Sequence, residues 1–370
     1  MSLRTVPIIK VKGPPRERGR QQGEGAQSQI AGMLAAYREL LPAASRMAWE
    51  EAVRESRKYL PHAEVAFPHC VEELRGIAKG ADVTFEDVWL LNCYEEVTES
   101  QHMACTSVAV RDDRTTDGHV LLAHNEDWIS VDRDHVYLVH AEPDDGPAFI
   151  GMSYGALLVN VGFNEEGIGV AINSVYATDA QVGVPRILFS RAILLARTIG
   201  EAIQTCVPRQ RAGGYHYLLA DAHGELYSVE SSATAHAILY GDEGWLAHTN
   251  HYLSPKMQTL EQPGTYAGSH VRLNRARRLL QAQTGEGKVS LGGLQTLLRD
   301  HVNYPNSVCG HEDPGDPPHE RGQTVISLVM DLTERVVWAA LGPPCEGEYV
   351  QYRLGRGRCG DDGPLYDPTA

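Results

Sequence analysis

Cys105 sits in Met103-Ala104-Cys105-Thr106-Ser107 and opens a strand-like run, Val108-Ala109-Val110. A turn through Asp112 to Gly118 leads into a second apolar run, Val120-Leu121-Leu122-Ala123, closed by His124-Asn125-Glu126-Asp127-Trp128. A cysteine between small residues at the head of a hairpin is an odd packing residue but a good candidate for a chain terminus. Cutting the Ala104–Cys105 bond would give Cys105 both a thiol and a free α-amine. That amine, with an unperturbed pKa of about 7.7–8.0, can take the thiol proton near neutrality, so one residue would supply nucleophile and base. The alternative for Cys105 is a buried structural thiol, the usual fate of an isolated cysteine.

Three segments in this order and spacing carry a resemblance: Ala104-Cys105-Thr106-Ser107, then Asn125-Glu126-Asp127-Trp128, then His248-Thr249-Asn250-His251-Tyr252. Val11 to Gly19 and the segment Thr324 to Leu332 with Val336-Val337-Trp338 add to it at the two ends. Together they resemble the acyl-coenzyme A:isopenicillin N (6-aminopenicillanic acid) acyltransferase family of the self-cleaving N-terminal nucleophile hydrolases. The resemblance implies roles for further residues. Asp127 would hold and tune the new α-amine; otherwise it is a turn aspartate. Asn250 would donate to the oxyanion of a tetrahedral intermediate; otherwise it is a strand-end turn former. Ser231 falls near the place of a family active-site serine, as a substrate-binding or cleavage-supporting group, or is a solvated strand-end serine. Arg321 matches an arginine near the closing hairpin only loosely and is left out of the site. His248 and His251 have a metal-pair spacing for a helix, but their segment reads as strand and turn, so no zinc is expected there.

The elements that must position these residues change character near residue 104. Before it the periodicity is helical. Gln29 to Leu41 places Ile30, Met33, Leu34, Tyr37, Leu40 and Leu41 on one face, with Pro42 as the stop. Trp49 to Leu60 and Val71 to Lys79 read as further helices, the latter capped by Gly80, and Thr84 with Asp87 as a capping box. After it, short β-rich runs dominate: Val136–His140, Ala156–Val161, Ile168–Ile172, Tyr215–Ala220 and Leu226–Glu230. Helical patterns return at Arg186–Arg197 and His270–Gln283, and the hairpin Val325–Met330 with Arg335–Leu341 closes the chain. His311 to Gln323 reads as a mobile loop. This is an α+β organisation, and the resemblance implies a four-layer αββα sandwich of two antiparallel sheets between helix layers. Residues 1–104 would form a mainly helical segment, cleaved but retained, and residues 105–370 a β-rich catalytic segment within the same folded unit.

Composition limits the partners. A chain of 370 residues with 42% hydrophobic residues can bury a substantial core, and a net charge of −15 argues against nucleic acid or an anionic membrane. That charge also disfavours coenzyme A as the acyl donor. The seven cysteines include no Cys-x-x-Cys pair, which reads as reduced thiols in a cytoplasmic protein. No signal segment and no run near the roughly 18 apolar residues of a membrane helix is seen. The expectation is an acyltransferase or linear amide hydrolase acting on a small N-acyl amide or acyl thioester through a Cys105 thioester. Neither cofactor nor metal is expected, and homo-oligomerisation is left open. The competing class is a β-rich ligand-binding module with Cys105 structural.

Overall fold

The structure, a computed structural model, describes residues 5–98, 104–208, 210–264 and 267–355. Met103 of the opening motif and Cys359 lie outside the described residues. Strands β1 (Ile8–Gly13), β2 (Ala104–Val110), β3 (Leu121–Ile129), β4 (Val136–Pro143), β5 (Phe149–Tyr154), β6 (Val161–Asn164) and β7 (Gly169–Asn173) lead the chain. They are followed by β8 (Tyr215–Ala220), β9 (Leu226–Ser231), β10 (His236–Tyr240), β11 (Trp245–His248), β12 (Gly322–Asp331), β13 (Val336–Leu341) and β14 (Val350–Arg353). One sheet runs β1-β4-β5-β6-β7-β8-β9-β10 and the other β11-β2-β3-β12-β13-β14. All pairings are antiparallel except β1 with β4, where the amino-terminal strand docks parallel to the sheet edge.

The helices of the first segment are α1 (Pro15–Gly25), α2 (Gln27–Ser45), α3 (Trp49–Ser56), α4 (Leu60–Ala66), α5 (Pro68–Ala81), α6 (Phe85–Asn92) and α7 (Tyr94–Thr98). Those of the second are α8 (Arg186–Ile193), α9 (Ile199–Cys206), α10 (Pro255–Gln258), α11 (Ala267–Glu286) and α12 (Leu291–Leu298). The α1, α8 and α9 helices lie against the larger sheet, α11 and α12 cover the smaller one, and β2 and β3 face β7 across the interior. The layers are therefore α, β, β, α, as expected. Among the described residues no helix is long and apolar enough to cross a membrane.

The two segments share a core: Ile30, Met33, Tyr37, Leu74 and Trp89 join the same apolar cluster as Leu138, Phe163, Leu188 and Leu218. A buried ion cluster crosses the same boundary. Glu73 of α5 accepts from Arg191 of α8 (Nε at 2.9 Å, Nη2 at 2.7 Å) and from Arg18 of α1 at 3.3 Å. Burial would push the Glu73 carboxyl up, but the two guanidiniums outweigh it and hold it low.

Several local expectations needed tertiary correction. Helix α2 runs on past Pro42 to Ser45, because a proline in the last turn removes only one bond; Arg46, left-handed at φ 60, donates back to Pro42 O. The predicted Trp49–Leu60 helix breaks into α3 and α4. Ala156–Asn160 is not strand, since its backbone bonds the Asn92 side chain through Ala156 O and Leu158 N. Thr84 does cap α6, accepting from Asp87 N at 3.2 Å, but the Asp87 carboxylate turns to Trp49 and Arg38 instead of completing the box. Gly80 is not a cap either. Asp82, at φ 57, ends α5, and a Cβ on Gly80 would stand 2.0 Å from Arg20 O. A Cβ added at Gly19, Gly23 or Gly76 would likewise stand within 2.2 Å of the facing backbone. The α1–α5 crossing is thus a glycine seam. Gly80→Ala should therefore lower stability in urea unfolding, although alanine is the better helix former by about 1 kcal/mol; a stabilised variant would show that the seam is not closely packed.

Candidate active site

Strand alternation decides which way each site residue faces. On β2, Ser107 Oγ donates to Ile172 O of the opposing sheet at 3.3 Å, while Thr106 Oγ1 accepts from Arg272 of α11 at 3.2 Å. Cys105, two residues before Ser107, therefore faces the sheet interface. On β3, paired with β2 so that Cys105 opposes Glu126 and Ala104 opposes Asp127, the same split recurs. His124, Glu126 and Trp128 face inward; Asn125 and Asp127 face the helix layer.

Around the Cys105 sulfur the environment is buried and acidic. Sγ lies 3.6 Å from Glu126 Oε2, which is 2.8 Å from His124 Nε2; His124 Nδ1 lies 2.9 Å from Ser107 Oγ. Burial, then the Glu126 and Asp127 carboxylates, hold the thiol well above its ordinary range. A cavity of about 30 Å³ beside Glu126 is lined by Glu95, Glu96, Tyr154, Arg186 and Tyr215, among others.

The Cys105 backbone is gripped from α11 and from the segment after β11. Its N–H donates to Asn250 Oδ1 at 2.9 Å, and its carbonyl accepts from Arg272 Nη1 at 2.5 Å. Arg272 Nη2 also donates to Asn250 Oδ1 at 2.9 Å. Because both neighbours are donors, the Asn250 atom that faces them must be the oxygen. Its Nδ2 donates to Ser174 O at 3.0 Å. Asn250 thus stands beside Cys105, with its carbonyl rather than its amide hydrogens on the Cys105 nitrogen.

Asp127 Oδ1 accepts from Thr324 Oγ1 at 2.5 Å, and Thr324 Oγ1 accepts from Gly310 N at 2.9 Å. Among the described residues the buried Oδ2 has no hydrogen-bond partner. Burial pushes this carboxyl up to about 7, against the Arg272 charge and the Thr324 bond. A second cavity, of about 240 Å³, lies on this side and is lined by Ala104, Asp127, Arg272, Ser307, Gly310 and His311, among others.

Other candidates fall elsewhere. Ser231 is buried on β9, and its hydroxyl donates to Tyr215 O at 2.9 Å; no hydrogen bond described links it to Cys105, Asp127 or Asn250. Arg321 folds onto its own loop through Asp316 O and Pro314 O. His248 and His251 turn to different partners, Glu230 with Asn173 for the first and Ser269 for the second. Besides Glu126, a residue with no sequence-based role is Arg272. It lies in a basic stretch with Arg275, Arg277 and Arg278 that reads as a solvated face. Its signal was position: Ser269, Arg272 and Ala276 fall on one helical stripe, and all three are buried.

The family model for acyl-coenzyme A:6-aminopenicillanic acid acyl-transferase matches residues 114–346, beginning after Cys105. The chain is 24% identical over 341 residues to the acyl-coenzyme A:6-aminopenicillanic-acid-acyltransferase 40 kDa form of Emericella nidulans, covering 91% of this chain and 92% of that one. It is 25% identical over 225 residues to the beta-alanyl-dopamine/carcinine hydrolase of Drosophila melanogaster, covering 54% of this chain and 56% of that one. Among solved structures, penicillin V acylase from Agrobacterium tumefaciens aligns at 17% identity with a TM-score of 0.47, over 64% of this chain and 83% of that one. The chain belongs to the acyl-coenzyme A:6-aminopenicillanic acid acyl-transferase family, and is an enzyme.

Proposed function

We propose that this enzyme cleaves itself between Ala104 and Cys105 and then carries acyl groups on the Cys105 sulfur. The observation behind this reading is the grip on the Cys105 backbone. A buried asparagine holds its nitrogen, a buried arginine holds its carbonyl, and Asp127, opposite Ala104, keeps a carboxylate oxygen unpartnered. Freed as an α-amine, that nitrogen would stay beside Asn250 Oδ1, with Asp127 Oδ2 as the acceptor for its added hydrogens.

Two acts follow. In the uncleaved chain the Cys105 nitrogen is an amide and cannot act as a base. Glu126, 3.6 Å from the sulfur, takes the thiol proton as Sγ attacks the Ala104 carbonyl. The Ala104–Cys105 C–N bond breaks with protonation of the nitrogen, and water hydrolyses the resulting thioester to release the Ala104 carboxylate. In the second act Sγ attacks the acyl carbon of a small N-acyl amide or acyl thioester, and the α-amine takes the thiol proton and passes it to the leaving group. The acyl-enzyme then goes to an amine acceptor or to water. Asn250 spends one amide hydrogen on Ser174 O, which leaves its second for the oxyanion. Ser231 supports the sulfur-side cavity indirectly, through the Tyr215 backbone. The first segment stays bound because its apolar faces are part of the common core.

Wild-type protein should run as two fragments on a denaturing gel, split between Ala104 and Cys105, and as one species in gel filtration. Cys105→Ala should remain intact and inactive toward amide and thioester substrates; a cleaved or active variant sinks the proposal. Glu126→Gln should slow the cleavage time course by about 10²-fold or more, and should affect turnover by already cleaved protein less. Cleavage at the wild-type rate would remove Glu126 from the first act. Asn250→Ala and Asn250→Asp should both lower kcat by about 10²–10³-fold with little change in KM, since neither retains the amide hydrogens. Retention of kcat by Asn250→Asp would show that the carbonyl oxygen, holding the amine, is the working atom.

A further inference from the structure

Away from the Cys105 sulfur, two loops bring together a set of soft and borderline ligands. The stretch between α12 and β12 supplies His301, Cys309 and His311; the turn after β13 supplies Cys345. Two sulfurs and two imidazole nitrogens lie within 4.8 Å of one another. His301 Nε2 and His311 Nε2 are 3.2 Å apart. The Cys309 and Cys345 sulfurs stand 3.5 Å and 3.4 Å from His311 Nε2.

We propose that His301, Cys309, His311 and Cys345 form a four-ligand zinc(II) site. Tetrahedral zinc, with Zn–N of about 2.0–2.1 Å and Zn–S of about 2.3 Å, sets its ligands about 3.3 Å apart for two nitrogens and about 3.6 Å for nitrogen and sulfur. The three measured separations fall close to those values. Two imidazole nitrogens at 3.2 Å can share only one hydrogen between them, whereas a cation satisfies both lone pairs. Two thiolates and two neutral imidazoles also neutralise a divalent charge and suit zinc over calcium or magnesium. Behind His311, Glu346 Oε1 lies 3.6 Å from Nδ1, where a carboxylate orients a metal-bound histidine. With all four positions supplied by protein, the site is of the closed, structural kind.

Its place explains what it would hold. Cys309 and His311 flank Gly310, whose N–H bonds Thr324, the hydroxyl that donates to Asp127. Val308 O accepts from Asn125 Nδ2 at 2.8 Å. The metal would fasten this loop to the turn at Cys345 and so fix one wall of the larger cavity. The assignment does not depend on Cys105 chemistry.

The test is metal analysis of the full chain purified without chelator, combined with thiol counting and intact mass. About one zinc per chain is expected. His301→Ala and Cys345→Ser, both at exposed positions, should retain the wild-type circular dichroism and lose the zinc. Should either variant fail to fold, wild-type protein stripped by chelator and titrated with cobalt(II) should develop intense tetrahedral bands and thiolate charge transfer at one equivalent. A Cys309–Cys345 disulfide in protein kept under reductant, the absence of zinc together with a featureless cobalt titration, or zinc retained in both variants would overturn the proposal.

Discussion

A guanidinium enclosed by protein has to find acceptors for its hydrogens, and around Arg272 that requirement organises the site. Burial pulls its basicity down and Asp127 opposes this. Its donors reach Cys105 O, Thr106 Oγ1 and Asn250 Oδ1, so two chain segments distant in sequence converge on one cation of a third. Leaving such a charge uncompensated costs several kcal/mol. The strand carrying Cys105, the turn carrying Asn250 and the α11 helix are therefore held in one arrangement. Positioning of the Cys105 backbone follows from satisfying Arg272, not from any preference of the cysteine.

The sandwich turns the two-residue period of a strand into a division of labour. Cys105 and Glu126 point between the sheets, where burial raises the thiol and keeps a carboxylate beside it. Asp127 and Asn125 point the other way, toward the loop that carries Gly310. Sulfur and backbone nitrogen of one residue thus meet different environments. For a residue proposed to supply nucleophile and base together, separate control of the two atoms is what that chemistry would need.

Much of the site could be read from residue order. Cys105 between small residues, Asp127 two residues past Asn125, and Asn250 after a short strand are local patterns, and β2, β3 and β11 form the hairpin and neighbour that bring them close. Arg272 could not be read the same way, because four arginines in seven residues of one helix look alike until the buried stripe is known. Glu126 was visible within its motif but had no role until the strand pairing set it opposite Cys105. The four zinc-ligand candidates were hidden by spacing: Cys345 lies 34 residues beyond His311, and their stretch carries no short-range metal motif.

The sequence by itself determined the class of the fold, because hydrophobic period and turn residues are local, and the order of the candidate groups, because a cysteine at a strand head needs only its neighbours to be singled out as a candidate. It also settled the helix faces, where Ile30, Met33, Leu34 and Tyr37 are buried as their spacing requires. The tertiary structure alone decided the course of α2 past Pro42, the role of Gly80 as a close-approach residue, and the amide orientation of Asn250. The last two turn on a partner elsewhere in the chain: a facing backbone whose Arg20 O would stand 2.0 Å from a Cβ added at Gly80, and an arginine 22 residues on for Asn250. Packing distance and hydrogen-bond direction are properties of pairs, and a linear sequence does not state which pairs will meet.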